Sequence, residues 1–197
     1  MQMTFVLPSP HTFDGMSFAQ VLNQRRSKRS FCEQSLSLSE ISQLCYSAQG
    51  ISSNNKRVCP SAGALYPLEL YIVVQNVDDL QPGLYKYNPG PHELNLLIIG
   101  NLTHPIYNAA LRQESVMSAP VNFVFSAVYD RICSKYGHRG ERYAHIEVGH
   151  AAQNLCLRAT SLSLHTVCIG AFDGERLSKS MNLPVTEAPL YIVPVGK

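Results

Sequence analysis

Pro60-Ser61-Ala62-Gly63-Ala64-Leu65-Tyr66-Pro67, running on into Leu70-Tyr71-Ile72-Val73-Val74-Gln75, is the stretch on which the fold turns. Two prolines bracket small residues, so the backbone is stiff at both ends and unobstructed between them. The β-branched and aromatic run over residues 70–75 then reads as a buried strand. A small-residue loop feeding a central strand is a common seat for a flat ligand against backbone N–H groups. An ordinary connecting loop has the same composition, and the stretch alone leaves both readings open.

Around it lie 197 residues, 45% hydrophobic and 15% charged. That is enough apolar material for one buried core, with charge well below the usual quarter or so. Residues 1–197 contain no repeat, linker or low-complexity run and are read as a single domain. So little polar surface favours the burial of one face in a second subunit. A net charge of +2 gives no nucleic-acid footprint. Six cysteines without a Cys-x-x-Cys pair are read as reduced, mostly buried thiols. Met1-Gln2-Met3-Thr4-Phe5 lacks the basic segment of a signal peptide, and no apolar stretch nears the roughly 20 residues that span a bilayer. The expectation is a soluble, cytoplasmic protein.

Residues 1–16, with Pro8, Pro10 and Gly15, read as an extended arm without a core of its own. Residues 17–24 begin a short helix with Ser17 as N-cap and Phe18, Val21 and Leu22 inward. It runs into Arg25-Arg26-Ser27-Lys28-Arg29, four cations within five residues, which call for an anion nearby. Arginine forks and a serine hydroxyl suit a phosphate, while a solvated basic helix end explains the same run without a ligand. Ser37-Leu38-Ser39-Glu40 has the form of a capping box, opening a helix with Ile41, Leu44, Cys45 and Ala48 on one face.

Beyond the central strand, two short strands about Asn88-Pro89-Gly90-Pro91 read as a hairpin. A short helix is expected over residues 105–113 and a second buried strand over 122–128. Residues 129–143, rich in Arg, Tyr, Lys and Gly, read as a surface segment or lid. Residues 142–162 form a long helix by the spacing of Val148, Ala151, Ala152, Leu155, Ala159 and Leu162. A third strand over residues 166–169 leads to the turn Gly170-Ala171-Phe172-Asp173-Gly174, whose first two N–H groups are free to face a ligand. Another short helix and a last strand close the chain.

Several chemistries leave no trace. Gly-x-Gly-x-x-Gly and Gly-x-x-x-x-Gly-Lys-Ser/Thr are both missing, as is Gly-x-Ser-x-Gly. His145 and His150, five apart, point about 140° away from each other on a helix and cannot share a metal. His150 is read as a helix residue with a satisfied hydrogen bond.

The order of the pieces is more specific than any one of them. The cationic run, the Pro60 loop, Tyr143-Ala144-His145-Ile146-Glu147-Val148-Gly149-His150-Ala151-Ala152-Gln153-Asn154-Leu155, Cys168-Ile169-Gly170-Ala171-Phe172-Asp173 and Val193-Pro194-Val195-Gly196-Lys197 follow in turn. This succession resembles the nitroreductase superfamily, most closely its SagB-type dehydrogenase branch, which includes azoline oxidases of peptide natural-product pathways. The resemblance covers residues from about 20 onward.

It implies an α+β fold, a mixed sheet flanked by helices, and a homodimer with extended arms and FMN at the interface. Arg25, Ser27 and Arg29 match the family's phosphate-binding residues. Pro60, Ser61, Ala62 and Gly63 match a loop lying on the isoalloxazine from the partner subunit. Gly170 and Ala171 match the turn that reaches flavin N5, and Lys197 a second phosphate cation. Two departures stand out. Ala62 and Ala64 replace the Ser and Asn of many members, so those contacts fall to the backbone. The sequence also ends at Lys197 where relatives often continue with another cation, which leaves phosphate binding weaker or leaning on Arg26.

The implied activity is ping-pong hydride transfer through flavin N5. It is either reduction of nitro- or quinone-type small molecules by NADH or NADPH, or SagB-type dehydrogenation. Lys135, Tyr136 and Tyr143 are the nearest candidates for proton transfer, with a plain surface role as the alternative for each, and no catalytic residue is assigned. A non-catalytic FMN-binding, storage or sensing protein would carry nearly the same residues.

Overall fold

The strands are β1 (Thr4–Val6), β2 (Leu68–Val74), β3 (Gly83–Asn88), β4 (Glu93–Ile99), β5 (Val121–Val128), β6 (His165–Thr166) and β7 (Glu187–Gly196). They form one sheet in the order β1-β4-β3-β2-β5-β7-β6 in the computed structural model, which describes residues 3–10, 16–52 and 55–197. Each pair of neighbouring strands is antiparallel. Parallel pairing enters through single bridges, Ser27 with Thr166 and Leu36 with Val77.

The sheet is covered on both faces, which is why its central strands are apolar on both sides. Leu68, Leu70, Ile72 and Val74 of β2 point to one core, together with Val121, Phe123, Phe125 and Ala127 of β5. Two helices close that core, α2 (Leu38–Gln49) and α6 (Arg139–Ser161). They contribute Ile41, Leu44, Cys45 and Ala48, and Ala144, Val148, Ala151, Ala152, Leu155 and Ala159. The α residues in α6 are mostly alanine, so the helix lies close to the sheet and to α2. Tyr71, Val73, Val124 and Ile192 face the opposite core. There α3 (Thr103–Ala109) and α7 (Gly174–Met181) supply Ile106, Ala109, Leu177 and Met181.

The expected capping box is present: the Ser37 hydroxyl accepts from the Glu40 N–H, and the Glu40 carboxylate accepts from the Ser37 N–H. Ser17 caps α1 (Phe18–Gln24) in the same way through Gln20.

Elsewhere the structure corrects the sequence. Part of the arm is an edge strand: β1 pairs with β4, Leu7 is buried, and Phe5 meets the Tyr85 ring edge-on at 5.6 Å. The rest of the arm, residues 1, 2 and 11–15, lies outside the described residues. Of the three apolar residues of α1 only Val21 is buried; Phe18 is 68% and Leu22 49% exposed. A helix of two turns has room for one inward residue when only α6 lies beside it. The helix expected to reach residue 113 stops at Ala109, because Leu111 and Arg112 take φ of 55° and 58°.

Residues 129–143, expected as a surface segment or lid, are helical and mostly exposed or half-buried. They form α5 (Tyr129–Tyr136) and the first turn of α6, joined at Gly137 with φ 58°. The two helices touch where a β-carbon on Gly140 would lie 2.9 Å from the Cys133 backbone nitrogen. The expected third strand shrinks to His165–Thr166, with Ile169 bridging to Ile192. Among the described residues no helix is long and apolar enough to cross a membrane.

Candidate active site

Ser61 shapes the Pro60 loop. Its carbonyl accepts from the Ala64 N–H at 3.0 Å and its hydroxyl accepts from the Tyr66 N–H at 2.9 Å. The tight turn that results puts Gly63, Ala64 and Tyr66 at φ of 63°, 53° and 48°. A left-handed conformation suits Gly63 and strains the other two, on the order of 1 kcal/mol each. Stored strain of this kind clusters at functional sites. Over Gly63 stand two side chains of α5: the Tyr136 hydroxyl and the Lys135 ammonium lie 2.8 Å and 3.1 Å from where its β-carbon would be. The Tyr136 ring meets Tyr143 of α6 edge-on at 5.2 Å. The three proton-transfer candidates are thus gathered beside one loop.

Below the loop is a pocket of about 270 Å³ lined by Pro60, Ser61, Ala62, Tyr143, Ile146, Glu147 and His150. The α6 residues recur at three- and four-residue spacing and form one stripe. Glu147 is the unusual member. It is 2% exposed, and neither carboxyl oxygen has a hydrogen-bond partner among the described residues. Burial pushes its pKa up to about 7. The Ser61 hydroxyl and the Arg57 guanidinium pull the other way, but neither stands in hydrogen-bonding geometry to it. A carboxyl so placed exchanges a proton near neutral pH.

Glu147 was not singled out from the sequence. The signal was there: an acid inside the buried register of a helix, between Ala144 and Ala151. His150, expected to be satisfied within its helix, is exposed and lines the pocket instead. His145 does have a partner, the Tyr129 hydroxyl at 2.8 Å.

The cationic run lies at the far edge of the sheet. Ser27 bridges to Thr166, and the Lys28 N–H donates to the Thr166 carbonyl at 2.9 Å. Arg26 and Lys28 turn to one side of this segment, where they line a common pocket. Arg25 lies near Cys156 and Cys168. Neither Arg25 nor Arg29 pairs with a carboxylate among the described residues. Arg26 instead donates to the Asn23 and Arg25 carbonyls and lines a separate pocket with Lys28 and His165. Lys28 Nζ is 2.7 Å from His165 Nε2.

Gly170 and Ala171 follow the Ile169–Ile192 bridge as an exposed turn. The Ala171 carbonyl accepts from the Gln113 amide at 2.9 Å, whereas the N–H groups of both residues donate to no partner among the described residues. Lys197 ends β7 beside β6, its carbonyl accepting from the Cys32 N–H at 2.6 Å and its ammonium 3.9 Å from Glu40. Within one chain the run, the turn and Lys197 therefore group at the β6–β7 edge. Pro60, Ser61 and Ala62 line a different pocket, on the stripe of α6 that carries Glu147, and Gly63 lies beside Tyr136 and Lys135.

A donor set of two unpaired arginines, a serine hydroxyl and an exposed turn with free N–H groups fits a phosphorylated planar cofactor such as FMN. Among the described residues no cluster of His, Cys, Asp and Glu is arranged to hold a metal.

Known proteins resemble the chain in sequence and fold. A protein of Methanocaldococcus jannaschii with a provisional nitroreductase name is 41% identical over 178 residues, covering 90% of this chain and 89% of that one. The microcin B17-processing protein McbC of Escherichia coli is 30% identical over 144 residues, 70% of this chain but only 53% of McbC. A crystal structure from Anabaena variabilis, also provisionally a nitroreductase, superposes with a TM-score of 0.89 at 26% identity. It covers all of this chain and 42% of that one. The α+β fold expected from the resemblance is borne out, and so is the resemblance itself. The Nitroreductase family model matches residues 22–197, and the chain belongs to that family.

Proposed function

We propose that the chain is an FMN-dependent oxidoreductase that works by ping-pong hydride transfer as a cytoplasmic homodimer. The observation that supports it most is the pair Arg25 and Arg29, flanking the Ser27 bridge and without carboxylate partners among the described residues. Bound FMN would supply the two-electron chemistry that links NADH or NADPH to a small-molecule acceptor of the nitro or quinone type. The chain binds and orients. Arg25, Ser27 and Arg29 hold the phosphate, with Lys197 as a further cation. The Gly170 and Ala171 N–H groups donate toward the flavin edge. Pro60, Ser61, Ala62 and Gly63 cover one ring face from the partner subunit, excluding water. Lys135 and Tyr136, held over Gly63, are the groups placed to hold or move a proton.

A second reading, SagB-type dehydrogenation, draws on the likeness to McbC and on the same Lys135–Tyr136 pair, which is suited to accept a proton from a substrate carbon as hydride leaves.

The test is the visible spectrum of the purified protein, before and after NADPH or NADH is added without oxygen. An oxidised flavin spectrum that bleaches is expected. A flavin spectrum that does not bleach transfers the reading to azoline oxidation or to FMN storage. A colourless protein that takes up no added FMN overturns the proposal.

A further inference from the structure

Cys156 lies on the buried face of α6, and Cys168 in the irregular run between β6 and the Ile169–Ile192 bridge. Their sulfurs are 3.5 Å apart. Cys168 is half-buried and packs beside Tyr191, which lines a pocket with His145, Val148 and Gly149. Cys168 thus keeps part of its surface open to solvent.

Packing alone does not account for its chemistry. Cys45 and Cys59 are each buried, and burial pushes both thiols up, Cys59 to about 12. Cys156 is as buried as they are, yet its pKa is lowered. The contact with the Cys168 thiol, in which either sulfur can donate, outweighs the cost of burial, with help from Thr166 and the Arg25 guanidinium. Cys168 is pushed up in turn, by the same contact and by its own burial. A thiolate held by a donor thiol and a cation is a nucleophile with a resolving partner already in contact.

We propose that Cys156 and Cys168 are a peroxide-oxidisable dithiol that closes to an intramolecular disulfide, tying α6 to the segment that leads into Gly170 and Ala171. The Cys156 thiolate attacks one peroxide oxygen, the O–O bond breaks, and a sulfenic acid forms as hydroxide leaves. The Cys168 sulfur then attacks the Cys156 sulfur, the S–S bond forms, and water leaves. Two thiols give up two electrons and two protons, and one peroxide becomes two waters. The sulfurs need only close from 3.5 Å to about 2.0 Å. Cys168 belongs to no regular strand, so that movement breaks no strand pairing. Oxidation also removes the thiolate from beside Arg25. The inference stands whether or not the chain binds flavin.

The test uses the full chain carrying Cys32→Ser, because Cys32 is exposed and would join two chains. Hydrogen peroxide should remove two titratable thiols per chain, with a mass loss of two hydrogens. Peptide mapping should find a cross-link between Cys156 and Cys168 that dithiothreitol reverses. The rate should rise with pH as the Cys156 thiol ionises, at a pH below that of an ordinary buried thiol. Adding Cys168→Ser should stop the reaction at a sulfenic acid on Cys156, trapped by dimedone. Thiols that survive peroxide sufficient to oxidise free cysteine overturn the proposal. So does sulfinic acid at Cys156 without the cross-link, and both outcomes are read in the Cys32→Ser chain even if the second variant fails to fold.

Discussion

The Tyr136 hydroxyl stands 2.8 Å from the point that a β-carbon on Gly63 would occupy, with the Lys135 ammonium at 3.1 Å. Glycine is needed there twice over, for its φ of 63° and for the approach of α5. Gly63→Ala is expected to cost about 1–2 kcal/mol, a fall in Tm of roughly 2–8 °C for a domain of this size. Both neighbouring atoms are the ends of flexible side chains. Adding Tyr136→Phe should therefore recover the crowding part and leave the backbone part. A Gly63→Ala protein with unchanged Tm would show that the loop is not held in this conformation.

Arg25→Ala together with Arg29→Ala should strip flavin from a chain that stays folded. Each charged hydrogen bond is worth about 1.5–3 kcal/mol, so FMN affinity should fall by roughly 10²- to 10⁴-fold. Flavin absorbance after gel filtration reads the loss, and circular dichroism the fold. Arg26→Ala, in its separate pocket, should leave flavin occupancy unchanged. Full occupancy in the double variant would refute the phosphate assignment.

A buried carboxylate also braces the sheet. Glu187 of β7 accepts from the Tyr71 hydroxyl at 2.8 Å and the Ser126 hydroxyl at 2.7 Å, and Lys86 lies 3.3 Å away. Lys86 reaches Glu69 as well, and Glu69 pairs with Arg131 at the start of α5. Glu187→Ala leaves two buried hydroxyls without an acceptor and should cost about 2–4 kcal/mol by urea unfolding. Glu187→Gln keeps an acceptor oxygen and should cost about half as much. Equal losses for the two would mean that packing, not hydrogen bonding, is what Glu187 supplies.

Strand and helix positions were legible wherever one residue type repeated with a clear period. The continuous apolar runs of β2 and β5 and the alanine register of α6 are read directly from side-chain chemistry. Segments 105–113 and 129–143 were not, for opposite reasons. Leu111 and Arg112 adopt a left-handed conformation that no composition announces. Residues 129–143 look too polar for a packed element, yet α5 needs only one fully buried residue, Ile132, to dock on α6. The cationic run and the Gly170 turn could be picked out as candidates because their chemistry is local. Glu147 and the Cys156–Cys168 contact could not, since each depends on which helix face a residue occupies and on what the rest of the chain brings to it.

Glu147 gives the fold a pH dependence of definite sign. Its folded pKa is about 7 against 4.5 for an ordinary glutamate, raised by burial. Below pH 4.5 both states hold the proton and the group is neutral to folding. Between the two values only the folded chain keeps it, and above about 7 the folded chain must carry a buried, unpartnered charge. Stability from this group is thus fully present in acid and is lost as pH rises through 7. At about 1.36 kcal/mol per unit, the loss between about pH 5 and about pH 8 comes to roughly 2–3 kcal/mol. Glu147→Gln stays uncharged throughout. The stability difference between variant and native protein, measured by urea unfolding, should shift in the variant's favour by that amount across the interval. His92, lowered by burial, titrates the opposite way but is present in both proteins and cancels in the comparison. A difference that does not change with pH would mean that the Glu147 carboxylate finds a donor in solution, and its place as a neutral-pH proton site would fall with it.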